Sequence, residues 1–308
     1  MYHMLHYGCC IWNNALSSLE KAMSILQLFT ARNPETGVSA VAQQLVMPKS
    51  SVSRLMRAME RYGLLEQDQQ SRRYRPGLLA FRLGGLYQAH TSLLDLADQV
   101  VSELVNRFGV TGYVSVMDGA DVIVLRMRQG RHPVRFLSEP GSRELACSTA
   151  AGRALLARAS EEEVRRILPK GLRDEDTKRK ITADEIVHIL HKVCRRGWAE
   201  AHYLSYPGIS AVAVAVVPND GQKPIALSLS FPDMAIDEAR RDQMIADLVQ
   251  RGARLGERFS DRYWIDRELG GRQPDEVTTA AQKTNVRGRK QKRATQRRNS
   301  QTREGQGD

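Results

Sequence analysis

Apolar residues recur at helical spacing in residues 17–30, where Ala22, Ile25, Leu26 and Phe29 stand at i, i+3, i+4 and i+7. This predicts a one-faced amphipathic helix that "NPETG" (33–37) breaks. Ser39 suits the N-cap of a short second helix with Val41, Ala42 and Leu45 turned inward. Pro48 closes the next turn, and Ser50 or Ser51 can cap a third helix running to about Arg61, with Gly63 as its C-terminal stop. "LLEQD" and "RRYRP" around the polar "QQS" read as a small β-hairpin.

From 77 to about 108 the period is helical again, weakened at Gly84-Gly85, which predicts a linker helix followed by the first helix of a second domain. Alternation then takes over. "GYVSVMDG" and "DVIVLRMRQ" form a hairpin at "DGAD", and "VRFLS" is a candidate third strand. "STAAGRALLARAS" and the stretches near 161–168 and 183–196 are helical. Strands follow at about 198–204, 209–217 and 224–231, and a long helix at 236–260. The mixture predicts an α+β chain. The expected divisions are an extension at 1–15, a winged helix-turn-helix at 16–77, a linker and dimerisation helix at 78–90, a sheet-and-helix domain at 91–265 and a disordered basic tail at 266–308.

On the third helix, Val52, Leu55, Met56 and Met59 form one stripe, while Ser50, Arg54, Arg57 and Arg61 point the opposite way with Ser53 on the flank. A solvated helix face explains any one arginine. The order helix, helix, turn, basic helix, arginine-rich hairpin explains them together, because a helix-turn-helix lays its second helix in the major groove. Arginine's planar fork suits guanine edges and phosphates, and no acidic residue precedes Glu60 on that face. Lys49, Ser50, Ser51, Ser53, Arg54, Arg57 and Arg61 are therefore candidates for DNA contact, with Arg72, Arg73 and Arg75 as a wing along the backbone or minor groove.

Charge sharpens this. The chain of 308 residues carries a formal +11, which favours polyanionic partners. Residues 15–90 hold ten Lys and Arg against five acidic residues, and 283–308 hold nine against two, so the middle is close to neutral. The tail can add salt-sensitive phosphate contacts or remain simply solvated. Four cysteines without a CxxC pair fit reduced thiols. The start lacks a basic segment leading into an apolar one, and "AVAVAVV" at 211–217 is too short for a bilayer. A soluble, cytoplasmic protein with no membrane partner is expected.

"SLEKAMSILQLF", "VSAVAQQLVMPKSSVSRLMRAMERYGLLEQ" and "RRYRPGLLAFRLG" resemble the winged-helix amino terminus of the IclR family of bacterial transcriptional regulators. The likeness continues through about 16–262: "PVRF" and "GSRELACSTAAGRALLA" look like the family's effector-loop segment, and "RRGWAEAHYLSYPGISAVAVAVV" with "ALSLSFP" like its paired late strands. The resemblance implies a GAF-like effector-binding domain after the winged helix. It implies dimers or dimers of dimers on a near-palindromic operator, controlled by a small molecule. Three positions depart from the family pattern: Val46 replaces a turn glycine, Ala201 an acidic residue, and Ala211 a cysteine or serine.

For the effector, Cys147, Ser148 and Thr149 open a helix whose free N–H groups can cradle a carboxylate, with room beside Ala151 and Gly152. Ser228 and Ser230 share a strand face, and Ala211 lies at the position matching the family's cysteine or serine. The expected site is Ser148, Thr149, Ala151, Gly152, Ala211, Ser228 and Ser230, and the expected ligand a small organic acid, aromatic ones included, from a catabolic pathway. The bland alternative is an N-cap and a polar strand face.

An enzyme is not expected. Cys147 has no evident base, GxxxxGK[ST], GxSxG and HExxH are absent, and "HILHKVC" spaces His188, His191 and Cys194 without a second ligand cluster. No catalytic residue, metal or cofactor is assigned. The competing interpretation is a GAF-like binding protein or enzyme whose helix-turn-helix contacts protein.

Overall fold

The structure is a computed structural model and describes residues 17–30, 33–89, 92–132, 138–169, 171, 181–202 and 208–268. Its first part follows the predicted order. Helix α1 (Ser18–Leu26) opens with a capping box between Ser17 and Glu20. Helices α2 (Val38–Gln44) and α3 (Lys49–Arg61) follow, then the antiparallel strands β1 (Leu65–Gln67) and β2 (Tyr74–Pro76) and helix α4 (Leu78–Ala89). Ile25, Val41, Val52, Met56, Met59, Leu65 and Tyr74 close a small core. Each such large side chain contributes about 1.5–3 kcal/mol when fully buried. Thr36 exchanges two backbone hydrogen bonds with Tyr74, at 2.9 and 2.7 Å, and so ties the segment before α2 to the hairpin.

Several local expectations shift. Helix α2 is capped by Gly37, not Ser39, and α3 begins at Lys49 behind Pro48, so Ser50 and Ser51 lie in its first turn and cap nothing. Leu55 is half-buried, and Met47 completes the core instead. Gly63 does end α3: at φ 73 its N–H bonds to Glu60 O at 2.8 Å. The turn between α2 and α3 keeps the left-handed backbone of the missing glycine. Val46 sits there at φ 50 and is 79% exposed, a conformation costly for a β-branched residue.

The second part is built on a six-stranded antiparallel sheet in the order β5-β4-β3-β8-β7-β6. Its strands are β3 (Thr111–Asp118), β4 (Asp121–Arg128), β5 (Arg143–Leu145), β6 (Ala199–His202), β7 (Ile209–Val216) and β8 (Ile225–Pro232). Strand alternation gives the sheet two unlike faces. Val212, Val214, Val216, Leu227, Leu229 and Phe231 pack on helices α5 (Ser92–Phe108) and α9 (Glu238–Arg258). The opposite face is small-chained: Ala213, Ala215 and Ala226 meet helices α6 (Ala150–Leu156) and α8 (Ala183–Arg196), with α7 (Glu161–Ile167) joining them. Gly152 is needed for a close approach here, because a Cβ would lie 2.2 Å from Ala146 O.

Two expectations of the sequence are changed at the edges. The candidate strand "VRFLS" falls mostly on 133–137, outside the described residues, and the strand on that edge is β5. The helix expected at 236–260 is followed by α10 (Arg262–Glu268), seven residues that show no period of their own. Its Trp264 is buried and donates from Nε1 to Ala215 O at 2.9 Å. The structured part therefore reaches past 266; of the expected tail, 269–308 lies outside the described residues, as does the extension at 1–15.

Candidate functional site

Two places carry candidate chemistry. The first is the outward side of α3. Lys49, Ser50, Arg54, Arg57 and Arg61 are exposed, and Ser51 and Ser53 are half-buried on its flanks. Their orientation follows from the back of the helix, where Val52, Met56 and Met59 are buried. No acidic side chain stands in the first turn. Arg57 Nη2 donates to Ser53 Oγ at 2.9 Å, one turn back, which holds both on the same side. Arg54 and Arg61 make no hydrogen bond or ion pair with any described residue.

The wing arginines are not equivalent. Asp68 folds the hairpin tip by accepting from the N–H groups of Ser71 and Gln70 at 2.7 and 3.1 Å, and those bonds, Ser71 first, hold its carboxyl below the usual range. Arg73 pairs with Glu35 at 3.0 Å and Arg75 with Glu66 at 3.3 Å. Both pairs are exposed and weak, about 0.2–1 kcal/mol. Arg72, at φ 56 on the tip, has its guanidinium clear of ion pairs among the described residues.

The second place is a cavity of about 90 Å³ between the small-chained sheet face and the start of α6. Of the seven residues expected there, Thr149, Ala151, Ala211, Ser228 and Ser230 line it. Ser148 and Gly152 do not: Ser148 belongs to the 3-10 turn Ala146–Ser148, and Gly152 is packed against Ala146. The expected cradle is also partly consumed, because Thr149 Oγ1 accepts the Gly152 N–H at 3.0 Å as the cap of α6. The structure adds Tyr113 and Ser115 from β3, Val122 and Val124 from β4, and Ser138 and Glu144. Tyr113 and Ser115 were legible, since "GYVSVMDG" alternates them with the buried Val114 and Val116. Glu144 and Ser138 carried no periodic signal. Ala201 and Ala211 are cross-strand partners and present methyl groups to the cavity.

A larger, open depression of about 450 Å³ lies between Phe108 and the start of α9. Its cations are occupied: Arg107 pairs with Asp247, and Arg240 Nη2 donates to Phe108 O at 3.1 Å. The less open, mostly apolar cavity on the sheet is the better site for a small ligand.

The remaining reactive residues have structural partners. Burial pushes the Cys147 thiol upward and away from thiolate chemistry. Its carbonyl accepts from Arg153 Nε at 2.8 Å. His191 pairs with Glu161 at 2.8 Å, and Cys194 O accepts from Tyr263 OH at 2.7 Å. Among the described residues no three His, Cys, Asp or Glu gather as metal ligands, and no helix is long and apolar enough to cross a membrane.

Comparison with known proteins places both parts. Residues 18–69 match the model of the IclR helix-turn-helix domain, and residues 86–255 that of the C-terminal region of bacterial transcriptional regulator IclR. The HTH-type transcriptional regulator KdgR of Escherichia coli K12 is 29% identical over 236 residues, which cover 76% of this chain and 89% of KdgR. An IclR transcriptional regulator from Silicibacter sp. TM1040 shares the fold with a TM-score of 0.71 at 24% identity, over 79% of this chain and 96% of its own. An IclR homolog from Microbacterium hydrocarbonoxydans, solved in complex with 4-hydroxybenzoate, has a TM-score of 0.63 at 19% identity, over 78% of this chain and 98% of its own.

Proposed function

The chain belongs to the IclR family of bacterial transcriptional regulators, a DNA-binding regulator with an effector-binding domain, and from that membership we propose how its residues divide the work. Ser50, Ser51, Ser53 and Arg54, nearest the start of α3, meet base edges in the major groove. Lys49, Arg57 and Arg61 hold phosphates, and Arg72 leads the wing, with Arg73 exchanging its weak partner Glu35 for the backbone. The observation that carries this is the side of α3 that is free of acidic groups until Glu60, opposite a buried stripe.

One recognition helix offers few base contacts, so a dimer on a near-palindromic operator supplies the specificity. Leu78, Phe81, Leu83 and Leu86 on α4 are all more than half exposed, and this apolar surface supports α4 as the dimer contact. The effector is a small organic acid bound in the cavity on the small-chained sheet face, with Thr149, Ser228 and Ser230 around it. The Microbacterium neighbour, complexed with 4-hydroxybenzoate, supports that ligand class. In this reading the domain senses and does not catalyse, and the protein acts in the cytoplasm, where its DNA is. The expected divisions at 16–77, 78–90 and 91–265 serve as the reading, dimerising and sensing parts, in that order, and the basic tail adds sequence-independent phosphate contacts.

The test is retention on DNA at rising salt, wild type against Arg54→Ala, with circular dichroism to establish folding. Loss of specific retention in a folded variant supports the assignment. Retention equal to wild type removes α3 from base reading.

A further inference from the structure

The cavity is polar at both ends and apolar in the middle. Across the sheet its lining runs from Glu144 on β5, past Val122 and Val124 on β4, to Ser115 on β3 and Ser228 on β8. Strands β5 and β8 are three spacings apart, about 14 Å.

Ser115 is 2% exposed and Ser228 6%, and neither side chain hydrogen-bonds to a described residue. Both line the cavity, and each hydroxyl keeps donor and acceptor capacity for a group that the cavity receives. At the other end, Glu144 accepts one hydrogen bond, from Ser138 Oγ at 2.7 Å. A carboxylate offers about four lone-pair sites, so acceptor capacity remains.

These ends differ in what they demand. A serine hydroxyl donates or accepts, whereas a carboxylate only accepts. Among the described lining residues no Lys, Arg or His balances Glu144. A ligand carboxylate brought there meets like charge, and a ligand hydroxyl or amino group meets an acceptor. Glu144 therefore fixes the direction in which an asymmetric ligand enters.

We propose that the effector is a ring-bearing acid with a hydroxyl or amino group at the far end: that group donates to Glu144, the ring lies against Val122 and Val124, and the carboxylate accepts from Ser115 and Ser228. This rests on the reading of the cavity as the effector site, and it adds a requirement for the donor.

Calorimetry on the full chain with 4-hydroxybenzoate, 4-aminobenzoate, benzoate and 4-methoxybenzoate separates the two levels. The donor-bearing pair binds at least tenfold more tightly than the other two, and Glu144→Leu erases that preference. Because the preference is a ratio within one variant, a general loss of affinity does not imitate it. Equal binding of all four, a preference that survives Glu144→Leu, or binding of none by a chain that still retains DNA overturns the proposal. Indifference to Glu144→Leu together with loss in Ser115→Ala, Ser228→Ala keeps the cavity and removes the donor rule. Indifference to all three substitutions removes the cavity as well.

Discussion

Arg158 and Asp261, 103 residues apart in sequence, form a buried ion pair at 2.5 Å beneath the ring of Tyr263. Asp261 is 2% exposed, and its second oxygen accepts from the Val217 N–H at 2.8 Å. The pair joins the end of α6 to the start of α10. Removing one member leaves a buried charge without its partner, which costs about 3–5 kcal/mol. Arg158→Ala is expected to lower the denaturant midpoint accordingly, and Asp261→Ala to do at least as much because it also frees the Val217 N–H. A change under about 1 kcal/mol in both would mean that water replaces the missing partner.

The arginines of α3 are expected to separate by phenotype. Arg54→Ala costs about 1–3 kcal/mol against the best operator and relaxes discrimination at one base pair, the signature of an edge contact. Arg61→Ala weakens binding evenly across sequences and reduces the slope of log K against log salt by about 1. Titrations at several salt concentrations on matched and mismatched duplexes read both effects.

Val46 is expected to yield stability on replacement. Its side chain is exposed, so little packing is lost, and the left-handed backbone that strains valine suits glycine. Val46→Gly is expected to raise the unfolding free energy of the winged helix by about 1 kcal/mol, followed by urea denaturation. A decrease would show that the loosened unfolded chain outweighs the relief of strain.

Charge on α4 is expected to part the dimer. Phe81 is 78% exposed and Leu86 57%, so Phe81→Asp with Leu86→Lys removes apolar contact without opening a core. Sedimentation is expected to show a smaller species, with operator affinity falling and non-specific affinity nearly kept. An unchanged sedimentation coefficient would place the dimer contact elsewhere.

Legibility from sequence followed periodicity. The stripe Val52, Met56, Met59 and the alternation of Ser228 and Ser230 could be read, because a buried face repeats with its element. Helix α10 is too short to repeat, and its evidence is the lone Trp264. The cap of α2 went to Gly37 because the bridge between Thr36 and Tyr74 sets where the chain can turn, a long-range bond invisible in local preferences. Glu144 faces the cavity through its pairing opposite Val122 on a three-residue edge strand, which no local pattern announces. Gly152 suggested space and marks the opposite, a close contact with Ala146.

The small-chained face of the sheet bears on how such a protein changes over generations. Ala201 and Ala211 lie side by side on β6 and β7 and contribute only methyl groups to the cavity wall, while the large aliphatic residues that stabilise the fold lie across the sheet. A single codon change at either alanine can add a hydroxyl, a thiol or a carboxylate to the cavity without touching the main core. The sheet thus keeps heritable stability on one side and leaves ligand choice open to mutation on the other, so descendants can acquire new signals while the DNA-reading half stays as it is.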